Sequence, residues 1–260
     1  MSRVALLYLV VACSHGAPPP PEPPPSEPLP MDVRPGGRRT FGASTLITAV
    51  ADDWSSTKVV ITRWRPHQQT DGRHSWGTGP WERVGDPFDG VIGDAGLAWG
   101  DGLHGDGAPK GHDGPRKREG DHRSPAGAFR ISGRFGFERP DGRMLEDTTE
   151  CVDDPASRSY NLIVEHTGSA DWTSSEHMRQ VPQYAVGAFV NHNAKRVPGD
   201  GSCIFLHIWA GPDSTTVGCT AMDEQRLREL LRSLGDKAVF VQLPKAEYRA
   251  LQAEWGLPAQ

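Results

Sequence analysis

No block of Lys or Arg stands out in these 260 residues, which carry a formal net charge of −5 and a pI near 6.1. The chain therefore lacks the electrostatic footprint of a nucleic-acid binder. It has no HExxH and no tight pair of metal ligands, so no metal and no cofactor are expected. His104, His112 and His122 lie among Asp101, Asp106, Asp113 and Asp121, in and just after a Gly-, Asp- and Pro-rich stretch from Asp71 to Gly120. That setting reads as a solvated loop. The apolar content is modest at 36%, against 30 Gly and 23 Pro. This balance excludes a helical bundle and points to a loop-rich, mostly β protein with an unstructured segment.

The N-terminus carries an address. Ser2-Arg3 precedes an apolar run from Val4 to Ala12, too short to span a bilayer but right for a signal-peptide core. It ends in Val10-Val11-Ala12-Cys13, which resembles a bacterial lipobox. Residues 1–13 then form a cleaved signal, and Cys13 is the lipidation site that anchors the chain to a membrane face. A plain secretory signal is the alternative. From Pro18 to Pro30, nine of thirteen residues are proline, which favours extended polyproline II and spans on the order of 40 Å. Residues 14–41 are read as a Pro-rich disordered linker, and 42–260 as the functional domain with its core at about 83–243.

Within that domain, Thr45–Val50 and Lys58–Trp64 are β-branched runs around Asp52-Asp53, a hairpin pattern. Ala128–Ser132, Tyr160–Glu165, Val186–Val190 and Ala238–Leu243 read as strands, and Arg134–Thr149 as a loop. The clearest helix follows Asp223, its N-cap. Leu227, Leu230, Leu231 and Leu234 recur at helical spacing before Gly235, a C-terminal stop. Pro244 opens a terminal helix carrying Tyr248, Leu251 and Trp255.

The chemistry concentrates between Ile204 and Met222. Ile204-Phe205-Leu206 reads as a buried strand delivering His207, and a turn at Gly211-Pro212-Asp213 leads to Thr216-Val217-Gly218-Cys219. A thiol beside an imidazole is a minimum kit for nucleophilic catalysis: the imidazole takes the proton, and an ion pair keeps the sulfur ionised near neutral pH. Gly218 leaves the backbone uncluttered, so the amides of Gly218 and Cys219 can meet a developing oxyanion. A structural cysteine near an unrelated strand histidine is the alternative. His192, in Asn191-His192-Asn193, is a candidate for the cleft beside His207, with Thr216 and Val217.

His207 followed by Thr216-Val217-Gly218-Cys219 resembles the catalytic signature of the L,D-transpeptidases, the YkuD-type domain, in which a His precedes [Ser/Thr]-x-Gly-Cys. Arg123-Ser124-Pro125-Ala126-Gly127-Ala128-Phe129 is similar to a second segment of that family, and the likeness covers roughly Leu46 to Leu243. The pattern departs at Val217, where the family commonly has His. It departs also at Ala221, where Arg or Asn is frequent, and in a shorter His–Cys loop. The resemblance implies a β-rich, sandwich-like domain with a few short helices, one packed behind the Cys loop. It implies Cys219 as nucleophile and His207 as general base and acid.

The implied reaction takes peptidoglycan stem peptides, releases D-Ala through a thioester and passes the acyl group to an amine, making 3→3 cross-links. Water as acceptor would give an L,D-carboxypeptidase, and a D-amino acid would give exchange. Different-class alternatives are a zinc-dependent wall peptidase using His192 and His207, and a non-catalytic wall-binding lipoprotein. No obvious Asp or Asn follows His207 as an orienting partner, so a backbone carbonyl is expected to orient it. With Cys13 lipidated and Cys219 free, Cys151 and Cys203 remain as a disulfide pair, against the alternative of two free thiols. The expected location is periplasmic or cell-envelope, and a monomer is expected.

Overall fold

The β-branched residues that open the domain fold as the pattern requires. In a computed structural model that describes residues 41–66, 81–139 and 142–260, Thr45–Ala51 (β1) pairs antiparallel with Lys58–Pro66 (β2). Asp53 turns the chain between them, its carboxylate accepting from the amides of Ser55 and Ser56 at 2.8 Å each. On β2, Val59, Ile61 and Trp64 are buried while Lys58, Val60 and Arg65 face out, the period of a half-buried strand. The signal-peptide reading with Cys13, and the Pro-rich segment up to residue 40, lie outside the described residues.

Further strands follow at Trp81–Arg83 (β3), Phe88–Val91 (β4), Leu97–Trp99 (β5), Asp101–Gly102 (β6), Gly105–Asp106 (β7), Ser124–Gly136 (β8), Arg143–Met144 (β9) and Thr149–Val152 (β10). The chain continues through Ile163–Glu165 (β11), Ser175–His177 (β12), two short 3-10 turns at Met178–Gln180 and Pro182–Ala185, and Val186–Val190 (β13). It ends with Phe205–Ile208 (β14), Thr220–Met222 (β15), the helix Glu224–Arg232 (α1), Ala238–Pro244 (β16) and the helix Lys245–Trp255 (α2). The described chain is thus mostly β with two α-helices.

Eight strands close on themselves in the order β1, β16, β8, β13, β14, β15, β4 and β2, because β2 returns to pair with β1. The core therefore begins well before residue 83, since β1 and β2 complete the ring. Inside and against it lie Ile47, Ile61, Phe129, Leu206, Phe240 and their neighbours. Helix α1 is capped as expected: the Asp223 carboxylate accepts from the amides of Gln225 and Arg226. Its Leu227, Leu230 and Leu231 are buried against β13 and β14. It stops at Ser233 rather than at Gly235, the Ser233 amide bonding back to Leu230. In α2, Tyr248, Leu251 and Trp255 face the core.

Three local expectations change. The Arg134–Thr149 loop is shorter than expected: β8 continues to Gly136, β9 returns beside it, and Thr149 already begins β10. The strand read at Tyr160–Glu165 is confined to Ile163–Glu165, because Tyr160 to Leu162 form a turn. Of the stretch read as a solvated loop, residues 71–80 lie outside the described residues, and the rest is folded onto the domain. Trp99 is fully buried, β5 pairs with β8, and the His104 ring packs edge-on to Phe129 while accepting from the Ala128 amide at 3.1 Å. Gly127 makes this fit, since a Cβ there would sit 2.0 Å from the imidazole. His112 meets the Glu247 carboxylate, and His122 stays exposed beside Asp94.

Strands β11, β10 and β12 form a small separate sheet. It is tied to the ring by a disulfide between Cys151 on β10 and Cys203, which precedes β14. Around the bridge is a second apolar cluster with Phe135, Leu145, Met178, Tyr184, Phe205 and Cys219. The bridge closes a loop of 52 residues, for which chain entropy gives a stabilisation of about 4 kcal/mol. Replacing both Cys151 and Cys203 by Ser should lower the free energy of urea unfolding by about 2–5 kcal/mol; a variant as stable as the parent would show that the bridge adds nothing.

Candidate active site

Strands β14 and β15 run parallel, with Leu206 opposite Thr220 and His207 opposite Ala221. Side chains alternate along a strand, so Cys219, two residues before Ala221, shares a face with His207. The connection between the strands is short, and the chain pins it twice. Thr216 exchanges backbone bonds with Ile92 and Asp94, accepting from Asp94 N at 2.9 Å and donating to Ile92 O at 3.0 Å. Gly218 then takes φ +149°, a region L side chains rarely adopt, with its Cα side 3.3 Å from the Arg123 carbonyl for any added Cβ. Glycine is needed here for the loop to approach that segment.

The two motif segments meet at one atom. The Ser124 hydroxyl and the Thr216 hydroxyl each donate to the Cys219 carbonyl at 2.7 Å. Thr216 Oγ1 also accepts from Gly218 N at 3.1 Å, and Ser124 Oγ from Gly93 N at 2.9 Å. Behind them, Gln242 of β16 donates to the Pro125 carbonyl at 3.0 Å and accepts from Thr220 at 2.8 Å. The backbone at Cys219 is fixed from three elements.

A pocket of about 180 Å³ opens here, lined by His207, Cys219, Tyr184, Trp209, Thr216 and Val217 among others. Cys219 is a free thiol, 5% exposed; Phe205 N donates to its sulfur at 3.3 Å, and the thiol lies 3.5 Å from the Cys203 carbonyl. The His207 ring, 9% exposed, donates from Nδ1 to the Ile208 carbonyl at 2.8 Å. That carbonyl orients the imidazole and leaves Nε2 as the basic nitrogen. Tyr184 packs edge-on against the ring at 5.2 Å.

The electrostatics differ from the expected ion pair. Burial pushes the Cys219 thiol well above its usual range, and Glu176 adds to the rise. Burial likewise drives His207 down to about 4, only partly offset by the Ile208 carbonyl. Both groups are neutral near pH 7, because the closed pocket solvates neither charge. Val217, at the position where the resembled family commonly has His, is 66% exposed at the pocket rim. Ala221 is fully buried between strands and offers no polar group. No Arg or Lys is among the lining residues.

His192 does not join the cleft. It is 1% exposed; Nε2 donates to the Asp200 carbonyl at 2.9 Å and Nδ1 accepts from Asp101 N at 3.2 Å. Its ring packs edge-on to Phe129. The loop Asn191-His192-Asn193 turns inward to tie β13 to the Asp101 and Asp200 segments, so the imidazole is a core connector. Tyr184 and Glu176 are what sequence reading missed, and no motif or spacing marks either.

Comparison with protein-family models, with curated proteins and with solved structures gave no match for this chain. The likeness to the L,D-transpeptidases rests on the motif residues themselves.

His104, His192 and His207 are each held down to about 4, mainly by burial. The unfolded chain binds protons at these sites below about pH 6.5 while the folded chain does not, so stability is full above that pH and falls toward pH 4. Glu176, raised to about 7 by burial, and His166, raised mainly by its Glu150 bond, act in the opposite sense, and the three strongly lowered imidazoles outweigh them. Urea midpoints should therefore drop on going from pH 7 to pH 5, and an unchanged or higher midpoint at pH 5 would contradict the burial of neutral imidazoles.

Proposed function

We propose that this chain is a cysteine-dependent acyltransferase of the L,D-transpeptidase type, built on a YkuD-like domain and acting on peptidoglycan stem peptides. The observation that carries the reading is the junction at Cys219. Two motif segments 95 residues apart are fastened through the Ser124 hydroxyl, and the basic nitrogen of His207 shares the pocket with the free thiol.

The neutral pair dictates the order of events. Cys219 Sγ attacks the peptide carbonyl as its proton passes to His207 Nε2, so deprotonation accompanies attack instead of preceding it. The C–N bond then breaks, the departing amine takes the proton from His207, and D-Ala leaves a thioester on Cys219. An acceptor amine attacks that thioester, His207 accepts its proton, and the thiol is re-formed with the new amide. For the oxyanion, the Gly218 amide is committed to Thr216. The Cys219 N–H has no acceptor among the hydrogen bonds of the described residues, so it is the donor the geometry favours.

Stem-peptide recognition falls to uncharged groups: Thr216 and Ser214 hydroxyls, Gln183, and the apolar Trp209 and Val217. Hydrolysis or D-amino-acid exchange by the same site needs only a different acceptor. The zinc-peptidase reading needs His192 beside His207, and His192 is fully engaged elsewhere. The disulfide favours an oxidising compartment, in keeping with export to the cell envelope.

Incubation of the full chain with a disaccharide-tetrapeptide, followed by intact-mass and product analysis, should show a thioester on Cys219 and loss of D-Ala. Cys219→Ala should release none while keeping its unfolding midpoint. His207→Gln should slow release by about 10²–10⁴-fold. Full turnover by Cys219→Ala would end the proposal, and binding without turnover by the parent chain would favour the wall-binding lipoprotein.

A further inference from the structure

Beneath the pocket floor lies a carboxyl that the reaction as drawn does not use. Glu176 sits on β12, in the small sheet that the disulfide ties to the ring. Its Oε2 accepts from the Tyr184 hydroxyl at 2.5 Å. Tyr184 is buried, lines the pocket, and packs its ring edge-on against His207. Tyr184 and Cys219 share the pocket wall and one apolar cluster, which brings the hydroxyl within reach of the thiol's electrostatics. A phenol has one proton and a free lone pair. With that proton given to Glu176, the oxygen turned toward Cys219 can only accept.

We infer that Glu176 is a positioning residue for the nucleophile: by holding or releasing the Tyr184 hydroxyl proton it decides whether that hydroxyl can donate to the sulfur, and its charge sets how readily Cys219 ionises. The inference rests on Cys219 being the nucleophile proposed above, and concerns how that thiol is held.

With Glu176 ionised, Tyr184 is locked as a donor to the carboxylate and is withheld from the sulfur, the thiol hydrogen stays on the Cys203 carbonyl, and a buried negative charge opposes a thiolate. With Glu176 protonated, the acid proton satisfies the carboxyl side of the pair. The Tyr184 O–H is then free to turn and donate to sulfur, which favours the thiolate and the attacking state. The proton on the carboxyl is thus a release catch on the nucleophile.

The surroundings put that change in a usable range. Burial raises Glu176 to about 7, the Tyr184 bond opposes the rise, and the charges of Asp153 and Glu119 add to it. Asp153 Oδ1 is itself buried without a hydrogen-bond partner. Glu119 is held by Tyr160 and by Ser202 Oγ at 2.7 Å. Facing the thiol from another element is Lys117, whose ammonium is paired with Asp121 at 2.5 Å and acts to lower the thiol. His207, neutral above about pH 4, adds no charge of its own over the range in which Glu176 titrates.

The test is the rate of Cys219 alkylation by iodoacetamide in the full chain from pH 5 to 9, with peptide mass separating label on Cys219 from label on Cys13. Glu176→Gln keeps an acceptor for Tyr184 and removes the charge. It should raise the rate at pH 8 by about tenfold, the effect of one pKa unit, and flatten the inflection near pH 7. In a Tyr184→Phe background the Glu176→Gln change should move the rate much less, since the linking hydroxyl is gone. Identical profiles for the parent and Glu176→Gln, or an equal Glu176→Gln effect with and without the Tyr184 hydroxyl, would overturn the inference. Because alkylation needs no stem peptide, this result is separate from whether the parent chain turns over murein.

Discussion

The parallel pairing of β14 with β15 is the constraint on which the site depends. Two adjacent parallel strands ordinarily need a long crossover, yet here only residues 209–219 separate them. The short path is tolerable because the loop is not left to hold itself. Ile92 and Asp94 grip Thr216 through the backbone, and Ser124 and Thr216 together grip the Cys219 carbonyl. From behind, α1 covers β13 and β14 with leucines. Ring closure through β1 and β2 then brings β4, which pairs with β15, into place. Segments far apart in the chain converge on the placement of one sulfur.

That placement has an electrostatic consequence. A thiol and an imidazole exposed at a loop would tend toward an ion pair, each charge stabilising the other. Here both are buried, and desolvation disfavours both charged forms together. In the proposed reaction the cost of charge separation would thereby move from the resting state to the moment of attack, when the developing oxyanion would meet the Cys219 amide. A resting neutral thiol is a weaker nucleophile, so that reaction would depend correspondingly more on the orientation of His207 by the Ile208 carbonyl.

The readability of this chain followed the range of the interactions involved. Local signals were legible. The β-branched runs gave β1 and β2, the Leu spacing with Asp223 gave α1, and Tyr248, Leu251 and Trp255 gave the buried face of α2. His207 and Cys219 were singled out on local features, a strand end and a tight turn with glycine, and they line one pocket; the Cys151–Cys203 pairing, reached by setting Cys13 and Cys219 aside, is the bridge observed. What escaped was set at long range. Strand β10 is short and gains its identity only by lying between β11 and β12. His104 and His192 look like polar loop residues until the glycines at 127, 100 and 201 let the backbone close over them. Glu176 reaches the Cys219 cluster only through Tyr184, across the join between the disulfide-tied sheet and the ring. No spacing encodes that contact.

The same cluster that holds the free Cys219 thiol, the proposed nucleophile, holds a disulfide, and this juxtaposition is chemically hazardous. Cys219 packs with Cys151 and Cys203 in one apolar group, its thiol beside the Cys203 carbonyl. Exchange between a thiol and a disulfide proceeds through the thiolate and slows as the thiolate fraction falls. A nucleophile kept ionised at rest would therefore threaten the bridge that positions the sheet carrying Glu176. Burial that keeps Cys219 protonated protects the bridge; in the proposed reaction it would do so until a substrate offered the sulfur a carbonyl carbon instead. On this argument the high resting barrier to ionisation is a condition for combining a free nucleophilic thiol and a structural disulfide in one small cluster.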